Sequence, residues 1–180
     1  MFVRDVFTPI SNEIFLERNH DMVEKPWPKL RLANNTDREN IIRLVFDVLK
    51  EYDLKPDPSS TGADLENIES SYFERDGTFL VLETQDGEIV GAYGLYPMEK
   101  QTCELRKMYL DKAYRGQGLG KFLLEDALSR AKQLGFEDMM LETASVLKEA
   151  IALYQSYGFT EYRPNHLSDR CDQAYRLKLK

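Results

Sequence analysis

Residues 110–136 read LDKAYRGQGLGKFLLEDALSRAKQLGF and join a glycine-rich turn to a strongly patterned helix. Three glycines, Gly116, Gly118 and Gly120, occupy every second position directly after Arg115. Glycine loses more backbone entropy on folding than other residues, so this density indicates a backbone that another group approaches closely. Because the first N–H groups of a helix lack partners within it and carry partial positive charge, a phosphate group suits this place.

Spacing excludes two well-known phosphate loops. The dinucleotide-binding pattern requires a third glycine where Lys121 stands, and the P-loop requires serine or threonine where Phe122 stands. A tight strand-to-helix turn that binds nothing explains the glycines equally well. The rest of the chain has to decide between these two interpretations.

Length and composition favour one domain of an ordinary globular class. The 180 residues suffice for one sizeable core and are few for two. The net charge of −7 argues against a nucleic-acid partner, since phosphate contacts need a clustered basic face. Two cysteines, Cys103 and Cys171, and two histidines predict neither a disulfide scaffold nor a metal site. The N-terminus shows no signal-peptide pattern and no segment is long enough to span a membrane, so we expect a cytoplasmic protein.

Strand and helix patterns alternate along the chain. Residues 1–28 form a leader whose role the sequence does not show, and residues 29–180 form the predicted domain. Strands are predicted at KLRLAN, TCELRKMYL, EDMMLETA and QAYRLKLK, with a β-hairpin at TFLVLETQDGEIVGAYGLYP. Helices are predicted at NTDRENIIRLVFDVLKEYD, ADLENIESSYFERDG, GLGKFLLEDALSRAKQLG and VLKEAIALYQSYG. This order predicts an α/β (α+β) fold, with a mixed sheet covered by helices on both faces.

Two helices carry finer predictions. The first has a capping box at Thr36 and Glu39. Periodicity predicts the buried face of each helix. For the first helix these residues are Ile41, Leu44, Val45, Val48 and Leu49, and for the helix after the glycines they are Leu119, Phe122, Leu123, Ala127, Ala131 and Leu134.

The stretch LRKMYLDKAYRGQGLGKFLLEDAL, followed later by EAIALYQSYGF, resembles the GCN5-related N-acetyltransferase (GNAT) superfamily. The acyl-CoA signature of that superfamily is Arg or Gln, two residues, Gly, one residue, then Gly or Ala, and residues 115–120 match it completely. The usual ending, Ala-x-x-Leu-Tyr and then Gly-Phe, is present in residues 150–159. The resemblance covers the chain from Lys29 to its C-terminus.

The resemblance implies the GNAT fold, a mixed, mostly antiparallel sheet in which two neighbouring strands splay apart and form an acyl-CoA slot. It implies acetyl-CoA as co-substrate, with its pyrophosphate on the amides of residues 117–121 and its pantetheine arm along strand backbone. Arg115 and Lys121 would add charge-assisted contacts to phosphate, with a solvated surface position as the alternative. Leu147 stands where many members carry an asparagine that contacts the cofactor arm. The implied cofactor-binding residues are Met108, Tyr109, Leu110, Arg115, Gly116, Gln117, Gly118, Leu119, Gly120 and Lys121.

The resemblance also implies an acid and a base. An amine acceptor with a pKa near ~10.4 must lose a proton before it attacks. Glu104 lies eleven residues before Arg115, similar to the catalytic glutamate of histone acetyltransferases in this superfamily, and is the expected base, directly or through water. The alternative is a structural glutamate paired with Arg106 or Lys107.

Tyr154 is the expected acid. Leu147, Ala150, Ile151 and Tyr154 follow i, i+3, i+4, i+7 spacing, so the tyrosine faces inward, where its hydroxyl needs a partner. A phenol within reach of the sulfur can protonate the departing CoA thiolate. The alternative is a core tyrosine bonded to a backbone carbonyl.

The acceptor is the least defined part of the prediction. Arg106 shares a strand face with Glu104 and would grip an acceptor carboxylate, unless it forms a structural ion pair. Tyr93 and Tyr96 are candidates for the pocket wall. We expect acetyl transfer to a primary amine in a ternary complex, with a small-molecule acceptor and no nucleic-acid, membrane or metal partner; a homodimer is compatible with the sequence. The alternatives are a protein N-acetyltransferase, a non-catalytic acyl-CoA-binding or sensory module, and an unrelated α/β protein with a phosphate loop.

Overall fold

The computed structural model describes residues 27–56, 62–99 and 101–179. The proposed leader of residues 1–28 therefore lies, except for Trp27 and Pro28, outside the described residues. Within them, no helix combines the length and the apolar character that a transmembrane span requires.

The described residues form strands and helices in the predicted alternation. The strands are β1 (Lys29–Leu32), β2 (Thr78–Glu83), β3 (Ile89–Pro97), β4 (Thr102–Leu110), β5 (Asp138–Thr143), β6 (Thr160–Tyr162) and β7 (Gln173–Lys178). The helices are α1 (Arg38–Glu51), α2 (Ile68–Ser71), α3 (Leu119–Gln133) and α4 (Lys148–Ser156). Short 3₁₀ turns lie at Asn35–Asp37, Ala63–Leu65, Phe73–Arg75 and Lys112–Tyr114.

The strands form one sheet in the order β1-β2-β3-β4-β5-β7-β6. Neighbouring strands run antiparallel except β4 and β5, which are parallel. The parallel pairing ends at Glu104 opposite Met140, after which β4 continues along β3 and β5 continues along β7. The mixed, mostly antiparallel sheet and its splayed strand pair are therefore confirmed.

Apolar side chains pack on both faces of the sheet. One core joins the sheet to α3 and α4 through residues such as Leu105, Leu123 and Ala127. The other joins it to α1 and α2 through residues such as Val45 and Ile68. All five residues of the predicted α1 face are buried, because that face packs against the sheet. Helices on both faces are thus confirmed.

Two helix predictions are wrong at their ends. The capping box uses Asn34 and Asp37 rather than Thr36 and Glu39, because the chain makes a 3₁₀ turn before α1. Nη1 of Arg31 also lies 2.7 Å from Oδ2 of Asp37, and this ion pair links β1 to the turn. Leu134, predicted to be buried, is 42% exposed because α3 ends at Gln133.

The region between α1 and β2 also departs from prediction. Residues 63–77 were expected to form one helix, but only α2 is α-helical, between two 3₁₀ turns. Asn67, in an extended conformation, caps α2 and interrupts the helix pattern. The short strand β6 was not predicted, since its three residues are only an edge added to β7. The 3₁₀ turn Ala63–Leu65 matters because Ala63 and Asp64 line the cavity described next.

Candidate active site

A cavity of about 1290 Å³ opens where β4 and β5 separate. It is lined by β4 from Glu104 to Leu110, by α1, by the turn before α3, by α4 and by the β6–β7 connection. Sites for one drug-sized ligand typically hold roughly 300–1,000 Å³. This cavity therefore has room for two substrates of unequal size.

The end of the cavity near α3 is built from backbone. Gly116 has a φ of +74° and Gly118, the N-cap of α3, a φ of +85°, a region that favours glycine. A Cβ atom at either position would meet no atom of the described residues within 4 Å. No side chain caps this helix start, so its first N–H groups are available to a ligand. Gly120, by contrast, would place a Cβ 3.9 Å from Leu153, so an alanine fits there.

The predicted residues of this loop differ in position. Gly116 and Gly120 line the cavity. The side chain of Gln117 is exposed and donates to the Ala113 carbonyl at 3.1 Å, whereas Leu119 is buried in the core. Lys121 is exposed beside Glu125, with 3.8 Å between Nζ and Oε1, which matches the surface alternative.

Arg115 takes a role that the sequence did not indicate. Its Nε donates to the Leu110 carbonyl at 2.9 Å and its Nη1 to Oε2 of Glu51 at 2.7 Å. The guanidinium also lies 5.8 Å from the ring centre of Tyr52. Arg115 therefore ties the end of β4 to α1, and most of its donors are engaged by protein groups.

The predicted strand contacts line the cavity. Met108, Tyr109 and Leu110 all border it, beyond the point where β5 leaves β4. In the described residues, the β4 edge that faces β5 has no strand partner after Glu104. Its backbone groups are the kind that amide-containing ligands can pair with.

Tyr154 lies inside the molecule and lines the same cavity. Its ring packs against Phe159 with 5.8 Å between ring centres. Burial, and to a smaller extent Tyr109, raise the pKa of Tyr154, so its hydroxyl keeps its proton at neutral pH. The hydroxyl therefore lies where a bound ligand could reach it, and the role of Tyr154 as an acid stays a prediction.

The other end of the cavity is built from charged side chains. Nε of Arg106 donates to Oε2 of Glu104 at 2.7 Å, and Nη2 of Arg106 lies 2.5 Å from the same oxygen. The Arg106 guanidinium lies 3.7 Å from the ring centre of Tyr96. The structure thus brings Glu104, Arg106 and Tyr96 together. It contains the Glu104–Arg106 ion pair, which was one of the alternatives given for these residues from the sequence.

A buried ion pair between Asp64 and Lys107 lies at the same end of the cavity. Lys107, at a β-bulge of β4 with a φ of +53°, places Nζ 3.0 Å from Oδ1 of Asp64. The Tyr72 hydroxyl donates to Oδ2 of Asp64 at 2.5 Å. Burial lowers the pKa of Lys107, and Asp64 opposes that change. Strand periodicity gives no sign of the bulge at Lys107, and Asp64 lies in a 3₁₀ turn distant in the chain, so no local pattern predicts this pair.

Tyr93 does not line the cavity, so its prediction as part of the acceptor wall is wrong. It is fully buried on the opposite face of the sheet, where its hydroxyl donates to Asp126 of α3. Tyr93 and Tyr96 are three residues apart on one strand, so their side chains point to opposite faces. The strand period could have excluded one of them from the sequence alone.

One wall of the cavity has no counterpart among the predicted site residues. The connection between β6 and β7 lines it with His166, Ser168, Asp169, Arg170 and Cys171, and β5 contributes Glu142. Asp172 holds the end of this connection through Ser145, accepting from its backbone N–H at 2.7 Å and from its hydroxyl at 2.6 Å. No local pattern marks these residues, because their proximity depends on the sheet order.

The site has the form of a slot with a backbone-lined end and a charged end. The model of the acetyltransferase (GNAT) family matches residues 42–159. The chain belongs to the GNAT family. GNAT proteins generally use acetyl-CoA, and the enzyme is an N-acetyltransferase.

Similar proteins agree with this assignment. An uncharacterized N-acetyltransferase of Escherichia coli (strain K12), YjgM, is 39% identical over 137 residues, which cover 73% of this chain and 81% of the relative. Human N-acetyltransferase 8B is 30% identical over 101 residues, which cover 53% of this chain and 44% of the relative.

Solved structures show the same fold. An acetyltransferase of the GNAT family from Staphylococcus aureus Mu50 superposes with a TM-score of 0.79 at 28% identity, covering 84% of this chain and 99% of the other. A phosphinothricin acetyltransferase from Sinorhizobium meliloti in complex with AcCoA superposes with a TM-score of 0.66 at 20% identity, covering 84% of this chain and 88% of the other. The second similarity concerns the fold alone.

Proposed function

We propose that this N-acetyltransferase transfers the acetyl group of acetyl-CoA to a primary amine of a small molecule, by direct attack in a ternary complex. One observation carries the proposal. A continuous cavity runs from the uncapped start of α3 to the charged cluster at Glu104, and Tyr154 lines it. A long donor and an amine acceptor can therefore occupy it together.

The backbone-lined end supports acetyl-CoA as donor. The free N–H groups at the start of α3 suit a diphosphate, and the unpaired edge of β4 at Met108 and Leu110 suits the amides of a pantetheine arm. The geometry at Gly116 and Gly118 leaves open space on the approach to these N–H groups. A non-catalytic acyl-CoA-binding module would share these features, so turnover has to separate the two functions.

The residues of the charged end supply proton transfer. A carboxylate takes a proton from the acceptor ammonium group, as typical general bases do. Glu104, the candidate from the sequence, lines the cavity and is one such carboxylate; Glu142 is a second. The buried phenol of Tyr154 holds the proton that the departing thiolate needs.

The walls of the charged end support a small acceptor. The β6–β7 connection lies on one side and the 3₁₀ turn that carries Asp64 lies on another, with Tyr96 between Arg106 and Tyr72. These walls surround a compact group more readily than they accommodate an extended peptide.

A thiol-release assay with acetyl-CoA tests this function. The panel contains aliphatic monoamines, diamines, arylalkylamines, amino acids and lysine-containing peptides, and thermal shifts with CoA, ATP and NAD are measured in parallel. We expect turnover of a small amine and a shift with CoA alone. A CoA shift without turnover of any amine would favour the binding module, and preference for peptides would favour a protein N-acetyltransferase.

A further inference from the structure

The guanidinium group of Arg106 holds a carboxylate on one of its two donor edges. An arginine can bind two carboxylates at once, since Nε and Nη2 form a side edge and Nη1 and Nη2 form an end edge. Glu104 occupies the side edge, where its Oε2 lies 2.7 Å from Nε and 2.5 Å from Nη2. At the end edge, Nη1 lies 3.8 Å from Oδ2 of Asp64, which is beyond hydrogen-bond distance. Arg106 lines the cavity, so a ligand there can reach this edge.

Arg31 shows in the same molecule how both edges are filled. Its Nε and Nη2 donate to the two carboxylate oxygens of Glu83 at 2.9 and 2.7 Å. Its Nη1 and Nη2 donate to the two oxygens of Asp37 at 2.7 and 2.9 Å. Hydrogen bonding from Arg31 is the largest cause that lowers the pKa of both Asp37 and Glu83, so both carboxylates stay charged on one guanidinium group. Arg106 repeats the side-edge half of this arrangement, and a second carboxylate at the end edge would complete it.

Neighbouring side chains hold the Arg106 guanidinium group in place. It lies over the ring of Tyr96, 3.7 Å from the ring centre. The Tyr96 hydroxyl accepts from Nη1 of Arg75 at 2.6 Å, and its ring packs edge-on against Tyr72 with 5.6 Å between ring centres. Because Glu104 and Tyr96 already fix the Arg106 side chain, binding of a further carboxylate costs little additional side-chain entropy.

The charges around this edge also favour an anion. Lys107 and Arg170 line the cavity together with Arg106. Burial lowers the pKa of Lys107 most, Asp64 opposes that change, and Arg170 and Arg106 lower it further. The three cations are therefore close enough to influence one another. A carboxylate bound at the end edge would lie in the field of all three, with Glu104 and Asp64 opposing it.

The cavity also carries the opposite charge. Glu142 of β5 lines it, and Oε2 of Glu142 accepts the backbone N–H of Ser168 at 3.0 Å and the Ser168 hydroxyl. An acceptor with both an ammonium group and a carboxylate can therefore find groups of opposite sign for each in one cavity.

We infer that the acceptor is an amine that also carries a carboxylate, as an amino acid does, and that the end edge of Arg106 binds this carboxylate through Nη1 and Nη2. This inference rests on the proposed function and narrows its substrate class. The ion pair with Glu104 and the contact with the acceptor are compatible, because they use different edges of one guanidinium group. An amine without the acid group forfeits two charge-assisted hydrogen bonds.

The test compares acceptors that differ only at the carboxylate. The common amino acids and γ-aminobutyrate are assayed by thiol release with acetyl-CoA. Each is measured beside its amide and beside the amine that remains when hydrogen replaces the carboxylate. For the acids that are turned over, kcat/KM should exceed that of the amide and of the amine by about 10- to 10²-fold, as expected for hydrogen bonds between charged groups.

Arg106→Lys tests whether this residue supplies the preference. Lysine keeps a positive charge beside Glu104 and lacks the planar pair of donors. The variant should lose most of the preference, through a higher KM for the acid, while kcat/KM for the amine falls less. Arg176→Lys is the matched control, because Nη2 of Arg176 pairs with Oδ2 of Asp138 at 3.0 Å and neither residue lines the cavity. It should keep wild-type kinetics. A thermal shift with acetyl-CoA checks that each variant is folded.

The outcomes are distinct. Equal wild-type kcat/KM values for acids, amides and amines overturn the inference, whether or not the variant folds, and leave the proposed function standing. A preference for acids that Arg106→Lys keeps in full also overturns it, since the carboxylate then binds elsewhere. An equal loss for acids and amines in that variant makes Arg106 a structural residue and overturns it as well. No turnover of any amine overturns both the inference and the proposed function.

Discussion

The two ends of the cavity are built from different parts of the chain. The end near α3 uses consecutive residues, a glycine turn and the first N–H groups of a helix, and its binding groups belong to the backbone. The charged end uses side chains of β4, β5, the turn before α2 and the β6–β7 connection. A short motif can encode the first end, whereas the second exists only when distant segments meet. We therefore expect the glycine motif to determine which acyl donor binds, and the charged end to determine which acceptor binds.

Of the changes that follow, removal of the Tyr154 hydroxyl should have the largest effect on turnover. Tyr154→Phe keeps the ring against Phe159 and removes only the proposed donor to the thiolate. A thiol pKa near ~8.5 makes thiolate a tolerable leaving group, so we expect a loss of about 10- to 10³-fold in kcat. Acetyl-CoA binding should persist, because the backbone-lined end is unchanged. Steady-state kinetics and a thermal melt measure both properties.

Tyr157 provides the matched control for that experiment. It follows α4 directly and donates to Oε1 of Glu125 at 2.6 Å on the outside of the molecule. Tyr157→Phe should keep the wild-type rate. Normal turnover in a destabilised Tyr154→Phe protein would instead make Tyr154 a structural residue.

The buried pair beneath the charged end should have the next largest effect. Asp64→Asn leaves the Lys107 ammonium without its carboxylate in a site where both side chains are less than a tenth exposed. We expect the free energy of unfolding to fall by about 3 kcal/mol, at the low end for a broken buried pair. Urea denaturation measures it. The shift with acetyl-CoA should remain, because that ligand is held at the other end.

A double-mutant cycle tests whether the two residues act as a pair. Lys107→Met combined with Asp64→Asn removes both charges, so the loss should be clearly smaller than the sum of the two single losses. Additive losses would show that Asp64 and Lys107 stabilise the fold independently.

Blocking the glycine turn tests the other end. Acetyl-CoA at about 100 times its Kd should stabilise the wild type by about 2.7 kcal/mol. Gly118→Val places a side chain in the open space before the free N–H groups and should abolish most of this gain. Gly135→Val is the control, since Gly135 has a φ of +84° and equally open surroundings beyond the other end of α3. Strain should lower the unliganded Tm in both variants, but only Gly118→Val should lose the ligand response.

The smallest effect is expected on the face of the sheet away from the charged end. Tyr93→Phe removes the hydrogen bond to Asp126 and should cost about 1 kcal/mol of stability without changing the acceptor KM. Tyr96→Leu removes the ring beneath Arg106 and should raise that KM. A raised KM in Tyr93→Phe would return Tyr93 to the acceptor wall.

The Tyr93 phenol also gives a pH prediction. Burial is the first cause that raises the pKa of Tyr93, and Asp126 adds to it. The folded protein therefore keeps this proton where the unfolded chain loses it, so the stabilisation is fully present below about pH 10 and falls as the pH rises. One such proton contributes a slope of about 1.4 kcal/mol per pH unit. The alkaline decline in stability should be shallower by this amount in Tyr93→Phe.

Much of the fold could be predicted because its signals are local. The apolar face of α1, the hairpin of β2 and β3 and the strand–turn–helix around Gly118 each follow from periodicity or turn residues within one short segment. The sequence placed Tyr154 inside by the same logic, through its spacing from Leu147 and Ala150. Errors arose where a local signal competed with another, as at Asn34, whose 3₁₀ turn displaced the expected cap.

By itself the sequence determined the family, the glycine turn and the inward position of Tyr154, because each rests on residues close together in the chain. Only the tertiary structure decided the partners of Arg115 and Lys107 and brought Glu142 to the cavity that Glu104 also lines. These contacts depend on a β-bulge, on the last paired residue of two parallel strands and on the path of the β6–β7 connection. Side-chain chemistry at the charged end is set by packing between segments, and no local period encodes which segments meet.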